Sequence, residues 1–494
     1  MRLATLLQAA GMAPVGDGAV TGFAIDHRKV SAGSVFGAFV GNSANGEEFV
    51  PAAVAAGAVA VVARPHVKVD GAVHIAALHP RRAFARLAAG FFTPVPATIV
   101  AVTGTNGKTS TVELTRQIWR MCGFSAASIG TLGVTAFDES TATGLTTPDV
   151  VTFLSNLAGL SREGVTHVAY EASSHGLSQH RNEGPTVSAG AFTSFSRDHL
   201  DYHATMEDYF EAKMRLVDEV VDQNGAVVVW MDDPYSPEVA RRARGRGLRL
   251  FAVGENGDAE RGIRLLSHAA SALGQDITVA HAGQEIAVRL PLIGRYQAAN
   301  ALCAAGLVLA TAGPDGPSAA QVFDAMARLQ PVRGRLERAV ISRTGAPVYV
   351  DYAHTPEALI AVMTTLRSHV EGRLIVIFGA GGDRDEGKRR AMGEAVAQIA
   401  DIAIVTDDNP RGEDPAAIRA AVLEGFHDTD NAGGKVDEIS DRRAAIAAAI
   451  SMAAAGDIVL IAGKGHEQGQ IVGRGDAARV HPFDDVAVAR ECAA

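Results

Sequence analysis

With 494 residues, 47% of them hydrophobic and 20% charged, the chain is too long for a single core and too apolar to be disordered, so roughly three folded domains are expected. A net charge of -10 lacks the Lys and Arg excess on which nucleic-acid and anionic-membrane binding rest, and neither partner is expected. The three cysteines, Cys122, Cys303 and Cys492, are odd in number and far apart, which argues against a disulfide framework or CxxC metal site and fits a reducing, cytoplasmic compartment.

In chain order, Met1 to Ala10 reads as a short helix rather than a signal peptide, because Gln8 interrupts its apolar stretch and a single Arg is a thin charged region. The longest uncharged stretch, Phe49 to Ala63, falls short of the roughly 20 apolar residues needed to cross a bilayer, so no membrane insertion is expected. Residues 1–94 contain short strands and an Ala-rich helical stretch that ends at Phe91-Phe-Thr-Pro-Val-Pro96. Two prolines there discourage further helix and mark the first boundary.

Ala97 to Val102 is a continuous apolar run of the kind buried in a parallel sheet, followed by a glycine loop and a helical segment from about Thr109 to Cys122. Further runs at His167 to Tyr170, Ala189 to Phe195 and Ala226 to Met231 alternate with helical stretches. That alternation predicts a mainly parallel sheet. A turn-rich stretch, Gln330-Pro-Val-Arg-Gly-Arg335, precedes a second alternating set that begins at Pro347. Four runs there end in polar or glycine-rich loops: Val350-Asp-Tyr-Ala-His354, Phe378 to Arg384, Thr406 to Arg411 and Ala462 to Glu467. Ligands of open α/β sheets bind outside the carboxyl ends of the strands, so these loops are expected to carry part of a site. The expected fold is α/β in three domains: a small N-terminal α/β domain (1–94), a central P-loop domain with a mainly parallel sheet (95–332) and a C-terminal Rossmann-like domain (333–494).

The loop Gly104, Thr105, Asn106, Gly107, Lys108, Thr109, followed by Ser110, leaves a strand and opens a helix. Its backbone N–H groups and helix dipole would face an anion, Lys108 would reach terminal phosphates, and Thr109 would hold Mg2+. Val102 stands where a general P-loop has its first glycine. Glu171 ends a strand run, a position from which a carboxylate can reach a nucleotide-bound Mg2+; a solvated strand-end Glu is the alternative.

Placed on a helix, Met206 to Val221 gathers Met206, Tyr209, Phe210, Met214 and Val217 on one side and Glu207, Asp208, Glu211 and Asp218 on the other. Lys213 falls inside the apolar stripe. Desolvation there favours the neutral amine, which is the form able to take up CO2 as a carbamate. Snorkelling is the commoner fate of an isolated lysine on such a helix. Farther on, Thr355-Pro-Glu357 is a helix start on its own terms, with Tyr352 to His354 just before it.

The phosphate loop, together with Thr146-Thr-Pro-Asp149, Glu171-Ala-Ser-Ser-His-Gly-Leu-Ser-Gln-His-Arg181, Ser196-Arg-Asp-His-Leu-Asp-Tyr-His203 and Asp408-Asn-Pro-Arg411, resembles the Mur ligase family, and among its members the diaminopimelate-adding ones. Folylpolyglutamate synthases share the loop. The resemblance implies an enzyme of peptidoglycan precursor synthesis that uses ATP to activate the D-Glu carboxylate of UDP-N-acetylmuramoyl-L-alanyl-D-glutamate as an acyl phosphate. The amine of meso-diaminopimelate then attacks it. By the same resemblance Glu171 and His199 are metal ligands, Lys213 is carboxylated and its carbamate offers oxygens to a second Mg2+, and Lys108 completes the catalytic set. Asn300, Arg335 and Asp351 are implied to meet the nucleotide, although Gln297 stands where the family usually has Asn. The UDP-dipeptide is implied to meet Thr146, Thr147, Ser173, Gln179 and Arg181, with Asn42 and Ser43 at the uridine loop and His27 in place of the family's Ser. Diaminopimelate is implied to meet Arg384, Asp408, Asn409, Pro410, Arg411, Gly463 and Glu467, Arg411 holding its distal carboxylate. Three alternatives stay open at this level: a lysine-adding relative, a folylpolyglutamate synthase, and a nucleotide-binding regulator without ligase activity.

Overall fold

A computed structural model of the chain describes residues 1–41, 44–137, 139–141, 145–271, 274–427 and 435–493. Near the N-terminus, the strands Gly22–Ala24, Ser34–Gly37, Ala60–Ala63 and Val73–Ala76 pair in sequential order as a parallel sheet. The helix Pro80–Phe91 opens on a proline, which lacks only an N–H that the first turn leaves unpaired. Its Phe84, Leu87 and Ala88 are buried, and Phe84 meets Phe23 and Phe39 edge-on. Because the same helix packs on Val150–Arg162, the N-terminal sheet shares one apolar core with a face of the central sheet.

Eleven strands form the central sheet among the described residues. At its middle, Val187–Phe192, Thr98–Thr103, His167–Glu171 and Ala126–Gly130 lie side by side and parallel. Their residues are nearly all apolar because both faces are covered, as a doubly wound sheet requires. Helices Lys108–Met121 and Arg295–Thr311 cover one face. The mainly parallel reading holds for this middle but not for the flank, where Ile263–Ser271, Gly274–His281 and Gln284–Leu290 form an antiparallel meander. The helix expected over Met206 to Val221 ends sooner: Met206–Arg215 is α-helical and Leu216–Val220 is a π turn. Val221 is drawn out of it by pairing in parallel with Val187, the start of a long strand.

The third sheet runs Glu337–Ile341, Pro347–Asp351, Ile458–Ala462, Leu374–Phe378, Ile402–Val405 and Lys435–Glu438. All are parallel except the first, an antiparallel edge strand that precedes the set expected to begin at Pro347. Parallel pairing sends the loops after Asp351, Phe378, Val405 and Ala462 out of one edge. Under that edge Arg442 and Asp485 are fully buried as a two-pronged ion pair, with Nε to Oδ1 and NH2 to Oδ2 both at 2.8 Å, and Arg442 also donates to the Ala462 carbonyl at 2.9 Å. No helix among the described residues is long and apolar enough to cross a membrane.

Removing one partner of a buried pair leaves an uncompensated charge. Asp485→Ala should therefore cost about 3–5 kcal/mol, read as a lower urea midpoint for unfolding of the C-terminal unit. A loss below about 1 kcal/mol, the range of an exposed pair, would show that Arg442 finds water or another anion.

Candidate functional site

The phosphate loop leaves the carboxyl end of the central strand Thr98–Thr103, between the ends of Val187–Phe192 and His167–Glu171. Gly104 has φ 145°, and a Cβ there would stand 2.1 Å from Thr193 Oγ1. Gly107 has φ 87°, and its Cβ would meet Asn300 Oδ1 at 2.4 Å. Only glycine allows both the turn and the approach of its neighbours. Two lysines then converge on one carbonyl. Lys108 Nζ donates to the oxygens of Gly104 and Thr105 at 2.9 and 2.8 Å, and Lys213 Nζ donates to Gly104 O at 2.7 Å.

Lys213 is 1% exposed, as the apolar stripe predicted, and its amine lies over the Tyr209 ring. Burial first, then the neighbouring Lys108 charge, hold its pKa well below the ordinary lysine value. Lys108 is lowered too, chiefly by burial, against the pull of Glu171 and Asp198. No hydrogen bond joins either ammonium to a carboxylate among the described residues, so the region favours an added anion.

Glu171 is 2% exposed; its Oε1 accepts from the Thr131 N–H at 2.7 Å, and its Oε2 is buried with no partner. Thr131 Oγ1 also lies 3.5 Å from Thr109 Oγ1, which accepts from Arg335 NH2 at 2.9 Å. His199 takes the left-handed φ of 55°, and burial pulls its pKa down to about 2, leaving a neutral imidazole with a free lone pair. An orphaned carboxylate oxygen and a neutral imidazole suit a divalent cation. No cluster of three or more His, Cys, Asp or Glu with ligand spacing occurs among the described residues.

Asn300 is buried against the loop and donates to Gln297 Oε1 at 3.1 Å, so Gln297 orients it. Arg335 stacks on Tyr352 at 4.3 Å while reaching Thr109, which brings the C-terminal sheet's loops onto the phosphate loop. Asp351 uses both oxygens on backbone N–H groups, Oδ2 from Leu336 at 2.6 Å and Oδ1 from Ala353 at 2.8 Å. It shapes its own strand end. Thr146, Thr147, Ser173, Gln179 and Arg181 come together beside this cleft. Thr147 Oγ1 bonds the Glu171 carbonyl and Ser173 Oγ, while Arg181 holds Thr147 O and Gln179 Oε1. The Thr146 hydroxyl accepts from Thr131 at 3.2 Å. His27 stacks on Phe49 at 4.3 Å within the N-terminal unit and touches none of these residues, and Asn42 and Ser43 lie outside the described residues.

On the facing side, Arg384 reaches Asp201 at 3.5 Å, and Arg411 NH1 donates to Gly382 O at 2.9 Å. Asp408, Pro410, Gly463 and Glu467 gather around them, and a Cβ at Gly463 would strike Asp408 Oδ2. Asn409 spends its side chain inside the protein: Oδ1 accepts from Lys464 Nζ and Ile471 N, both at 2.9 Å, and Nδ2 donates to Glu467 at 2.8 Å. Several residues here were not singled out from the sequence. Asp198, from the central unit, pairs with Lys388 of the C-terminal unit at 3.3 Å and lies 3.8 Å from His354 Nε2. Arg197 similarly reaches Asp385 at 3.2 Å. Asp198 and Lys464 sit inside motifs that the sequence makes conspicuous, but their burial depends on the other unit or loop.

Two family models match: Mur ligase middle domain over residues 102–308, and Mur ligase, glutamate ligase domain over 334–465. The UDP-N-acetylmuramoyl-L-alanyl-D-glutamate--2,6-diaminopimelate ligase of Zymomonas mobilis subsp. mobilis is 57% identical, covering 96% of this chain and 94% of that protein. The protein of that name from Bradyrhizobium diazoefficiens is 50% identical over 94% of this chain and 93% of its own. A solved structure of a UDP-N-acetylmuramoyl-L-alanyl-D-glutamate--2,6-diaminopimelate ligase superposes with a TM-score of 0.67 at 33% identity, covering 96% of this chain and 94% of that one.

The site's imidazoles also set its acid sensitivity. Burial pulls His175 down to about 4, and burial with Arg335 and Arg333 pulls His466 down to about 3, against an ordinary 6.5. The unfolded chain therefore binds more protons than the folded one below about pH 6.5, so stability present above that pH is lost as pH falls toward 3 to 4. The melting temperature should drop across this window, and His466→Gln should remove about one proton from the slope. An unchanged slope would show that His466 titrates as it does in water.

Proposed function

The chain belongs to the Mur ligase family, and we propose that it is the ATP-dependent carboxylate–amine ligase that adds meso-diaminopimelate to UDP-N-acetylmuramoyl-L-alanyl-D-glutamate. The observation that supports the chemistry is the contact between Arg335 and Thr109, which brings the loops of the C-terminal sheet and the phosphate loop to one cleft. Identity of 57% along nearly the whole chain to a diaminopimelate-adding ligase does not favour the lysine-adding, folylpolyglutamate or regulatory alternatives. We assign residues 1–94 to the UDP-substrate, 95–332 to ATP and 333–494 to the amino acid. A cytoplasmic location belongs to the same reading.

In this mechanism the loop N–H groups and Lys108 hold the ATP phosphates, with Asn300, Arg335 and Asp351 at the nucleotide. Thr146, Thr147, Ser173, Gln179 and Arg181 hold the dipeptide so that its D-Glu carboxylate lies in line with the terminal phosphate, while His27, Asn42 and Ser43 serve the uridine end. Transfer gives an acyl phosphate and ADP; the amine of diaminopimelate, oriented by Arg384, Arg411, Asp408 and Glu467, displaces phosphate. Thr109, Glu171 and His199 would hold Mg2+, which neutralises phosphate charge when bound. Lys213, as a neutral amine, combines with CO2 to give a carbamate and a proton. The carbamate sets an anion beside the Lys108 cation where the free amine carries no charge, which supports a catalytic role for Lys213 beside Lys108. The ion pairs of Asp198 with Lys388 and of Arg197 with Asp385 join the central and C-terminal units across the cleft.

A panel of UDP-dipeptide, ATP and amino acids tests the assignment: phosphate release should require meso-diaminopimelate, and preference for lysine or glutamate would sink it. Lys213→Ala should lower turnover by about 10²–10³-fold, with partial return on adding formate or acetate. No rescue, together with a free amine at Lys213 by mass analysis of protein kept in bicarbonate, would remove the carbamate.

A further inference from the structure

Lys464 is 0% exposed, yet no feature of the reaction uses it directly. Its Nζ lies 2.9 Å from Asn409 Oδ1, 3.3 Å from Glu467 Oε2 and 3.6 Å from Asp408 Oδ1. Asn409 Nδ2 closes the ring by donating to the same Glu467 oxygen at 2.8 Å. The loop after Val405 and the loop after Ala462 are thus tied through one buried ammonium. The tie extends to the hairpin beyond, because Ile471 N donates to Asn409 Oδ1 and Gln470 donates to the Asp408 carbonyl.

The consequence falls on Glu467. Its Oε2 accepts from both Asn409 and Lys464, while its Oε1 has no hydrogen bond among the described residues. The carboxylate is therefore held in one orientation with one oxygen left for a ligand. Without the ammonium, the like charges of Asp408 and Glu467 would be left for Arg411 and Arg442 to offset. Arg411, which feels both carboxylates as well as Arg384, would lose the charge balance around it.

We propose that Lys464 is a positioning residue for amino-acid specificity: it sets its positive charge between Asp408 and Glu467 and aims Glu467 Oε1 at the ammonium group of a zwitterionic substrate. This rests on the assignment of the cleft to diaminopimelate, and the two stand or fall on different observations. If wild-type protein releases no phosphate with diaminopimelate, that assignment is wrong.

If the wild type is active, Lys464→Met, which keeps the length and loses the charge, should raise the KM for diaminopimelate at least tenfold and leave the KM for ATP within twofold. The acid limb of its kcat/KM profile for diaminopimelate should move to higher pH, since one carboxylate now protonates more readily. Glu467→Gln should raise the same KM, and the double variant should be no worse than the weaker single variant, as expected of residues acting as a unit. Equal effects on both substrates, an unmoved acid limb, or additive losses would overturn the proposal. Lys464→Gln, which keeps a donor for Asn409, reads the same split if the Met variant does not fold; loss of the fold in both would assign Lys464 to stability alone.

Discussion

Everything at the centre of this protein turns on the carbonyl oxygen of Gly104, which receives two lysine amines. Two ammonium ions in a buried place are costly twice over, through lost hydration and through mutual repulsion. Asp198 offsets both amines and Glu171 adds to the offset at Lys108, whereas Lys213 is deeper and its pKa is held well below the ordinary lysine value. The arrangement is tolerable with one neutral amine, and better with an anion between or upon the pair. ATP phosphates answer that need, and the carbamate proposed on Lys213 would answer it too.

The same oxygen lies where three neighbouring parallel strands end, so the sheet topology decides what surrounds the lysines. Glu171 comes from one neighbour, paired with Val102, and Thr193 to Ser196 come from the other. The C-terminal sheet supplies the opposite wall. Arg335 on Thr109 and Lys388 on Asp198 join the units through side chains that carry charge at the site. The same contacts therefore join the two units and set charge in the cleft.

Legibility differed sharply between residues. The phosphate loop was plain because its glycines are demanded by local backbone geometry, φ 145° at Gly104 and φ 87° at Gly107, which leaves a spacing in the chain. Lys213 was legible because a helix places Tyr209, Phe210, Met214 and Val217 on one side, and a lysine among them is conspicuous. Asn409 stands out in its motif, but its bonds to Lys464, Glu467 and Ile471 come from loops distant in the chain and are legible only in the structure. The antiparallel meander and the edge strand Glu337–Ile341 were blurred, since half-exposed strands lack a continuous apolar run.

The sequence by itself determined the three-part α/β plan, the phosphate loop and the buried lysine, because each follows from local geometry or from a repeat along one element. Only the tertiary structure decided which charges meet: Lys108 with Lys213 on one carbonyl, Asp198 with Lys388, and Lys464 among Asp408, Asn409 and Glu467. Those partners lie up to 190 positions apart, and the energy of a buried charge is set by what surrounds it in space rather than by its neighbours in the chain.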